Sequence, residues 1–542
     1  MTSDRRSFRA PNPADRVGSF LADLGFRHLF GVPGGGYSSD VVVAAGAHGV
    51  RFVLSQTETG AALMAAAQAE ITERPGACIT TLGPGLTSVV NGAAHALLDR
   101  APLLVLADAP PGPVGGIGIH QRVDQRMVLK PVTKGQARVG RDRVEETLAW
   151  AVDLATAAPA GPVYVELGFA GSVDDKGPEA ERSGPSSAED GVTNSASWGA
   201  LRAMIAVSRR PLALVGLEVR TPDDVAAVRE FCRASRVPAL VTYKAKGVIP
   251  DSSPQFAGVL TNGAIETSVL EGADLLIGVG LDPIELLPRP WPFTTPMIDV
   301  SSIEHAADVL PIRGRVGDGL VDGLHRVASA FGSTEGAERA NAEAKRACEL
   351  VAALGSGRLT PTTAISELVA RWAPDVRVTV DAGAHMLPAM QLWPAEARGD
   401  LLISNGLATM GFALPAAIGA ALLESGRRVV ALTGDGGLLM CLGELATLAR
   451  ENLDVCVVVF DDRTLSLIKL KQEQRGEAAG VALGPVDWVT MASSLGIRGY
   501  AADSMEGLRA RIADIGSKPG PSLLAIRVES FDYVPVLQAI RG

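Results

Sequence analysis

The chain has 542 residues, 47% of them hydrophobic and 20% charged, with 60 glycines, which describes folded domains with many tight turns and excludes a disordered or fibrous chain. At roughly 100 to 200 residues per domain the length calls for about three units. A formal net charge of -10 excludes a nucleic-acid surface, which needs clustered Lys and Arg, and points to a small-molecule partner.

The opening stretch "MTSDRRSFRAPNPADR" is basic but has no apolar segment behind it, so no export signal is expected. Cys78, Cys232, Cys348, Cys441 and Cys456 form no CxxC pair, which argues against a disulfide framework or a zinc site and for a reducing, cytoplasmic location. Residues 74–108 read as strand, Gly-rich turn, helix, strand and terminal acid. A polar linker rich in Ser, Gly and Pro is expected at 174–197. Apolar runs at 211–216 and 274–280 predict further strands, and a charged helical stretch at 335–349 followed by "LGSGRLTPTTA" marks a second boundary. The uncharged run 401–423 is long enough to cross a bilayer, but Asn405, Pro415 and its glycines favour burial inside the protein. Residues 427–462 then repeat the pattern of 74–108.

Continuous apolar strands between helices imply parallel sheets covered on both faces. The expected fold class is therefore α/β, with three doubly wound parallel-sheet domains at 1–180, 195–345 and 358–542, the first and third related.

The stretch "LTGDGGLLMC" places Asp435 between glycines where a strand gives way to a predicted helix, and ligands bind at such sheet edges. Gly434, Gly436 and Gly437 allow a bulky anion close to the backbone, and the first N–H groups of the helix attract phosphate. A Walker loop is excluded because GxxxxGK[ST] is missing. Phosphate so held brings a hard cation that wants about six oxygens, and Mg²⁺ fits. Asp435 supplies one oxygen; one helix and one strand later, Asp461 and Asp462 return alongside it.

This constellation resembles the thiamine diphosphate motif, and the resemblance extends over nearly the whole chain. "FGVPGGG" (30–36), "TETGAALMAAAQAE" (57–70), "TLGPGLTSVVNGAAHALLDRAPLLVLAD" (81–108), "VDQRMVLKPVTK" (123–134) and "LATMGFALPAAIGAAL" (407–422) look like acetolactate synthase-like thiamine diphosphate enzymes, in the right order. The resemblance implies a thiamine diphosphate-binding fold with a pyrimidine-binding domain first, a central domain next and a diphosphate- and Mg²⁺-binding domain last. It implies that Glu58 hydrogen-bonds the aminopyrimidine and favours the form that activates the thiazolium carbon. Its partly desolvated setting among Ala61, Ala62 and Met64 suits proton exchange with a ring nitrogen. Met410 would hold the cofactor bent, with the backbone near Ala408 and Met410 on the pyrimidine edge. His385, Gly436, Gly437, Asp462, Thr464, Leu465 and Ser466 would surround the diphosphate. Asp435, Asp462 and the Thr464 carbonyl would bind the metal. Because the family's glutamate serves a cofactor whose phosphates lie on another subunit, a homodimer or homotetramer with active sites at the subunit interface is implied.

The chain also departs from the family. Two aspartates stand at 461 and 462 where the family usually has two asparagines, adding negative charge beside a cation and a diphosphate. At 120–122 the sequence "HQR" keeps Gln121 and alters its neighbours; Gln121 and His120 are expected in catalysis, positioning a substrate carbonyl and transferring protons. Gly35, His120, Gln121 and Lys471 form the expected substrate set, Lys471 standing where acetolactate synthases carry a tryptophan. The middle domain lacks a "GARFDDRVT"-like segment, which makes FAD doubtful. The expected function is decarboxylation of a small 2-oxo acid with acyl transfer to an acceptor, a transferase or lyase activity. The alternatives are a simple 2-oxo acid decarboxylase or lyase, or a non-catalytic cofactor-binding relative. A nicotinamide enzyme ranks last, since no GxGxxG opens a helix after a strand.

Overall fold

In the computed structural model the described residues are 12–110, 120–168, 196–303, 309–317, 319–332, 334–355 and 357–542. The linker expected at 174–197 lies outside them except for residues 196 and 197, and the boundaries at 180 and 195 lie outside them too. The chain divides into two compact units, Met1–Pro185 and Ser186–Gly542.

In the first unit six strands form one parallel sheet: β1 (His28–Val32), β2 (Arg51–Leu54), β3 (Gly76–Thr80), β4 (Leu103–Asp108), β5 (Gly135–Val139) and β6 (Pro162–Leu167), in the order β2-β1-β3-β4-β6-β5. β3, β4 and β6 are buried at every residue, because helices cover both faces and no polar alternation is needed. The helices Glu58–Thr72 and Pro84–Leu98 flank this sheet and pack closely on each other through small residues: a Cβ at Gly92 would strike that of Ala62.

The second unit holds two more sheets. β7 (Pro211–Val215), β8 (Ala239–Val241), β9 (Phe256–Val259), β10 (Leu275–Val279), β11 (Met297–Val300) and β12 (Ile312–Arg315) are ordered β12-β11-β10-β7-β8-β9, all parallel. β13 (Arg377–Val380), β14 (Leu401–Ile403), β15 (Val429–Gly434), β16 (Val455–Asp461), β17 (Arg498–Ala502) and β18 (Ser522–Arg527) are ordered β14-β13-β15-β16-β18-β17, again all parallel. Counted within each sheet, the first and third have the same order, 2-1-3-4-6-5, which is the repeat seen between 74–108 and 427–462. The middle sheet reads 3-2-1-4-5-6 from its other edge, the order of dinucleotide-binding folds.

The uncharged run 401–423 is divided between β14 and the eleven-residue helix Ala413–Leu423. The turn between them uses positive φ at Ala408 (53°) and Gly411 (79°). Among the described residues no helix is long and apolar enough to cross a membrane.

Candidate active site

In the third sheet, β15 and β16 are hydrogen-bonded neighbours with Gly434 opposite Phe460, so both release their acids at the same carboxyl edge. Asp435 is buried, its Oδ1 accepting from the Gly436 N–H at 2.7 Å and its Oδ2 from the Arg463 N–H at 2.6 Å. Asp462 accepts from the Thr464 N–H at 3.1 Å and from the Ser466 hydroxyl. Burial, and after it the charge of Asp462, pushes Asp435 up to about 6. Asp462 is raised as well, chiefly by burial, against the pull of the Ser466 and Thr464 hydrogen bonds. Two carboxylates that each resist ionisation would both be relieved by a hard cation beside them. Among the described residues no group of three or more His, Cys, Asp or Glu side chains is placed to hold a metal. A cation here would therefore take two carboxylates, a backbone carbonyl such as that of Thr464, and oxygens from phosphate and water, as Mg²⁺ tolerates.

The glycines make the cradle. A Cβ at Gly436 would collide with Leu465 and come within 3.5 Å of Met410 Cε; one at Gly437 would collide with Asp381 and lie 2.9 Å from Thr433 Oγ1. Met410, Leu465 and Gly436 thus converge, as expected of residues on one cofactor. The helix expected after the GDG forms in two pieces. The helix Asp435–Met440 spans six residues, and the chain turns at Cys441–Gly443 through Glu444 N–H to Cys441 O (2.9 Å) and Ala446 N–H to Gly443 O (2.9 Å) before resuming at Glu444–Glu451. So short a helix carries little macrodipole, and an anion would rely on individual donors.

One polar side chain beside this cradle is His385. It is buried, stacks on Phe460 with ring centroids 5.3 Å apart, and has an Nε2 with no hydrogen-bond partner. Burial lowers its pKa to about 4, against hydrogen bonds to the backbone of Leu432 and Asp381, so the ring is neutral at neutral pH and carries a single N–H. It lies against the strand end, since a Cβ on Gly434 would sit 3.5 Å from its Nδ1. A buried ring nitrogen without a partner, a cradle without side chains and a pair of raised carboxylates fit a magnesium diphosphate.

Asp381 was not singled out by the sequence. Fully buried just past β13, its carboxylate accepts from the N–H groups of Ala382 (3.1 Å), Gly411 (3.1 Å) and Phe412 (3.1 Å) and from the Thr433 hydroxyl at 2.8 Å. It ties the turn carrying Met410 to the strand end carrying Asp435. Burial pushes it up to about 6 against those four hydrogen bonds. Asp381→Ala would leave the Gly411 and Phe412 N–H groups unanswered, and a loss of about 2 to 4 kcal/mol is expected. Chemical denaturation gives the stability, and titration of the cofactor should show weaker binding in the variant that still folds.

In the first unit the expected residues gather around the turn Gly83–Gly85. Glu58 opens its helix behind the N-cap Thr57, which accepts from the Gly60 N–H at 2.9 Å. Its half-buried carboxylate lies 2.9 Å from where a Cβ on Gly85 would sit, with Ala61, Ala62 and Met64 buried behind it. Burial, helped by the charge of Glu58, pushes the Cys78 thiol to about 12, so this neighbour stays uncharged. Gln121 has φ 58° and an exposed side chain, and its carbonyl packs against Gly83 so closely that a Cβ there would collide. His120 and Gly35 are exposed. Among the described residues His120 makes no hydrogen bond, so its expected role in proton transfer rests on position alone.

Two further residues hold these loops, and neither was expected. The buried Asp108 accepts from the Ser38 N–H (2.7 Å) and hydroxyl (2.6 Å), fixing the loop that carries Gly35. Gln125 accepts from the Gly83 N–H at 2.9 Å and donates to the Asp108 carbonyl at 3.0 Å and to the Tyr164 hydroxyl at 2.7 Å. The Gly35 loop and the turn beside Glu58 are thereby tied to one strand end, that of β4.

Comparison with known proteins points the same way. Residues 12–127 match the N-terminal TPP binding domain of thiamine pyrophosphate enzymes, residues 199–321 their central domain and residues 381–526 their C-terminal TPP binding domain. The chain belongs to the thiamine diphosphate-dependent enzymes. Its relatives place it among the acetolactate synthase-like members. It is 27% identical to acetolactate synthase of Bacillus subtilis (strain 168), over 98% of this chain and 96% of the relative. It is 26% identical to the acetolactate synthase isozyme 1 large subunit of Escherichia coli (strain K12), over 98% and 96%. With the catabolic acetolactate synthase of Raoultella terrigena it shares 29% over 98% of both chains.

Proposed function

We propose that the protein uses thiamine diphosphate with Mg²⁺ to decarboxylate a small 2-oxo acid and pass the acyl unit to an acceptor. The observation that carries this reading is the pair Asp435 and Asp462 at the edge of a glycine cradle, with the unpartnered Nε2 of His385 beside it. The bound cofactor would supply the electron sink for bond cleavage beside a carbonyl. The chain's own residues would do the rest. Asp435, Asp462 and Thr464 hold the cation; His385, Gly436, Gly437, Leu465 and Ser466 hold the diphosphate; Ala408 and Met410 hold the pyrimidine. Glu58 manages the proton on the pyrimidine, and Gln121 with His120 and Gly35 faces the substrate. A homodimer or homotetramer would bring Glu58 of one copy to the phosphate site of another. A panel of 2-oxo acids assayed with added thiamine diphosphate and Mg²⁺ tests the activity. Pyruvate converted to a condensed product supports carboligation, and acetaldehyde as the sole product would make the enzyme a simple decarboxylase.

Lys471 supports a finer reading of the substrate. On the helix Ser466–Glu473, Lys469 pairs with Glu473 at 3.8 Å, whereas Lys471 is exposed and makes no ion pair among the described residues. An available cation there favours a donor or acceptor with an additional anionic group. Lys471→Ala should raise the KM for such a substrate up to about fivefold, the worth of one exposed charge contact, and leave that for an uncharged analogue alone. Equal KM values in both proteins would remove the idea.

The middle sheet is proposed to hold no flavin. Its crevice for a nucleotide would open where the strand order reverses, between β7 and β10. There the buried Glu285 accepts from the Leu217 N–H at 2.8 Å and the Thr242 hydroxyl at 2.5 Å. A Cβ on Gly216 would sit 2.5 Å from the Gly280 carbonyl oxygen and 2.9 Å from Glu285. A carboxylate of the chain thus occupies the donors a phosphate would need. Purified protein should be colourless, and a yellow preparation releasing flavin on denaturation would reverse this reading.

A further inference from the structure

Three carboxylates end the two central strands of the third sheet: Asp435, Asp461 and Asp462. On the proposed reading a diphosphate adds more negative charge, which one divalent cation would not balance. Asp461 is buried and adjoins Asp462, so its charge would add to theirs.

A single residue answers it. In the β16–β18 register Asp461 stands directly opposite Arg527. The guanidinium Nη1 donates to Asp461 Oδ1 at 3.1 Å and to the Asp461 carbonyl oxygen at 3.2 Å. That two-point contact holds the carboxylate of Asp461 toward β18. Asp462, the next residue along, is free to turn to Thr464 and Ser466, the side on which it meets Asp435. Arg463, the other nearby arginine, gives Asp435 its backbone N–H and forms no ion pair among the described residues.

We propose that Arg527 is the charge partner of Asp461 and, through it, a positioning residue that sets how tightly the third sheet binds diphosphate relative to its cation. The pair explains how two aspartates can stand at 461 and 462. One is neutralised across the sheet, and the other is left for the metal.

The proposal rests on the thiamine diphosphate and Mg²⁺ reading, and its test separates the two. Thiamine diphosphate is titrated into the full-length protein at saturating Mg²⁺ by calorimetry. Mn²⁺ alone is titrated by the loss of its free paramagnetic signal. Wild type, Arg527→Met, Asp461→Asn and the double variant are compared, with thermal melts confirming that each is folded. Arg527→Met should weaken thiamine diphosphate roughly tenfold and bind Mn²⁺ more tightly, because an uncompensated carboxylate repels the anion and attracts the cation. The diphosphate penalty should shrink as salt is raised. Adding Asp461→Asn should return both constants to within about twofold of wild type. Loosening of the fold alone would weaken both ligands together and would not be rescued by removing a charge. Constants that move in the same direction, stay where they are or add without rescue overturn the proposal. Wild type that binds neither ligand overturns the cofactor reading and the proposal with it.

Discussion

Glu58→Gln should leave a folded protein that binds thiamine diphosphate and Mg²⁺ yet turns over 2-oxo acids about a hundred to ten thousand times more slowly, the usual worth of a positioned acid–base group. The amide matches the carboxylate in shape, so contacts beside Gly85 survive. As the first residue of its helix, Glu58 contributes a charge at the N-terminus worth no more than about 1 kcal/mol, and the Thr57 cap remains in place. The loss should therefore fall on kcat, with KM and the melting temperature little changed. Exchange of the reactive ring proton of bound cofactor, followed by NMR, should slow in proportion. Undiminished exchange would mean that another group activates the cofactor. A complementary test is Gly85→Ala, whose methyl would press against the Glu58 carboxylate and collide with Thr80 Oγ1. It should lower kcat while Glu58 is still present, as expected if placement of the carboxylate matters as well as its chemistry.

The sequence revealed chiefly those parts whose cause is local. Strands such as Val455–Asp461 announced themselves because a layer buried on both faces tolerates an unbroken apolar run. Asp435 was legible because an acid between glycines at a strand end has few structural uses. The repeat was legible too, and it led to the shared order of the first and third sheets. What the sequence concealed depends on partners far along the chain. Asp381 reaches Gly411 and Phe412 thirty and thirty-one positions away, and Asp108 reaches back seventy positions to Ser38. Neither pattern leaves a local period. A signal was nevertheless present: Asp108 is the terminal acid of the first repeat, as Asp462 is of the second, and a strand-end acid is a candidate in both copies. The first copy spends that acid on holding a loop, and the second directs it toward Asp435. The helix break at Cys441–Gly443 was also hidden, because "LLMCLGELATLAREN" is helical by composition and the turn there is closed only by backbone hydrogen bonds.

Asp435→Asn separates the two demands made on the metal site and should give the largest loss of cofactor binding. In the protein without cofactor, Asp435 accepts two backbone N–H groups, and Asn keeps one acceptor oxygen for the Arg463 N–H that anchors the loop into Thr464 and Ser466. The substitution also removes a buried carboxylate that faces Asp462, a repulsion that now opposes folding at neutral pH. The amide's NH₂ faces the Gly436 N–H and loses that hydrogen bond, which offsets the relief, so the cofactor-free variant should melt close to wild type. Metal binding needs the charge that the amide has lost: thiamine diphosphate affinity at a fixed Mg²⁺ concentration should fall at least about a hundredfold, more than the usual cost of losing a group that merely supports a ligand. Wild type should gain melting temperature as cofactor and Mg²⁺ are added together, because a ligand bound only by the folded state stabilises it by RT ln(1 + L/Kd), where L is the free ligand concentration. Asp435→Asn should show no such gain. Asp435→Ala provides the contrast, since it abolishes binding and also leaves the Arg463 N–H without its acceptor, costing about 1 to 3 kcal/mol. A variant Asp435→Asn that still melts higher with cofactor would mean that the cation is held elsewhere. Asp462 and the Thr464 carbonyl would then need a different third partner, and the acid between the glycines would be a structural turn.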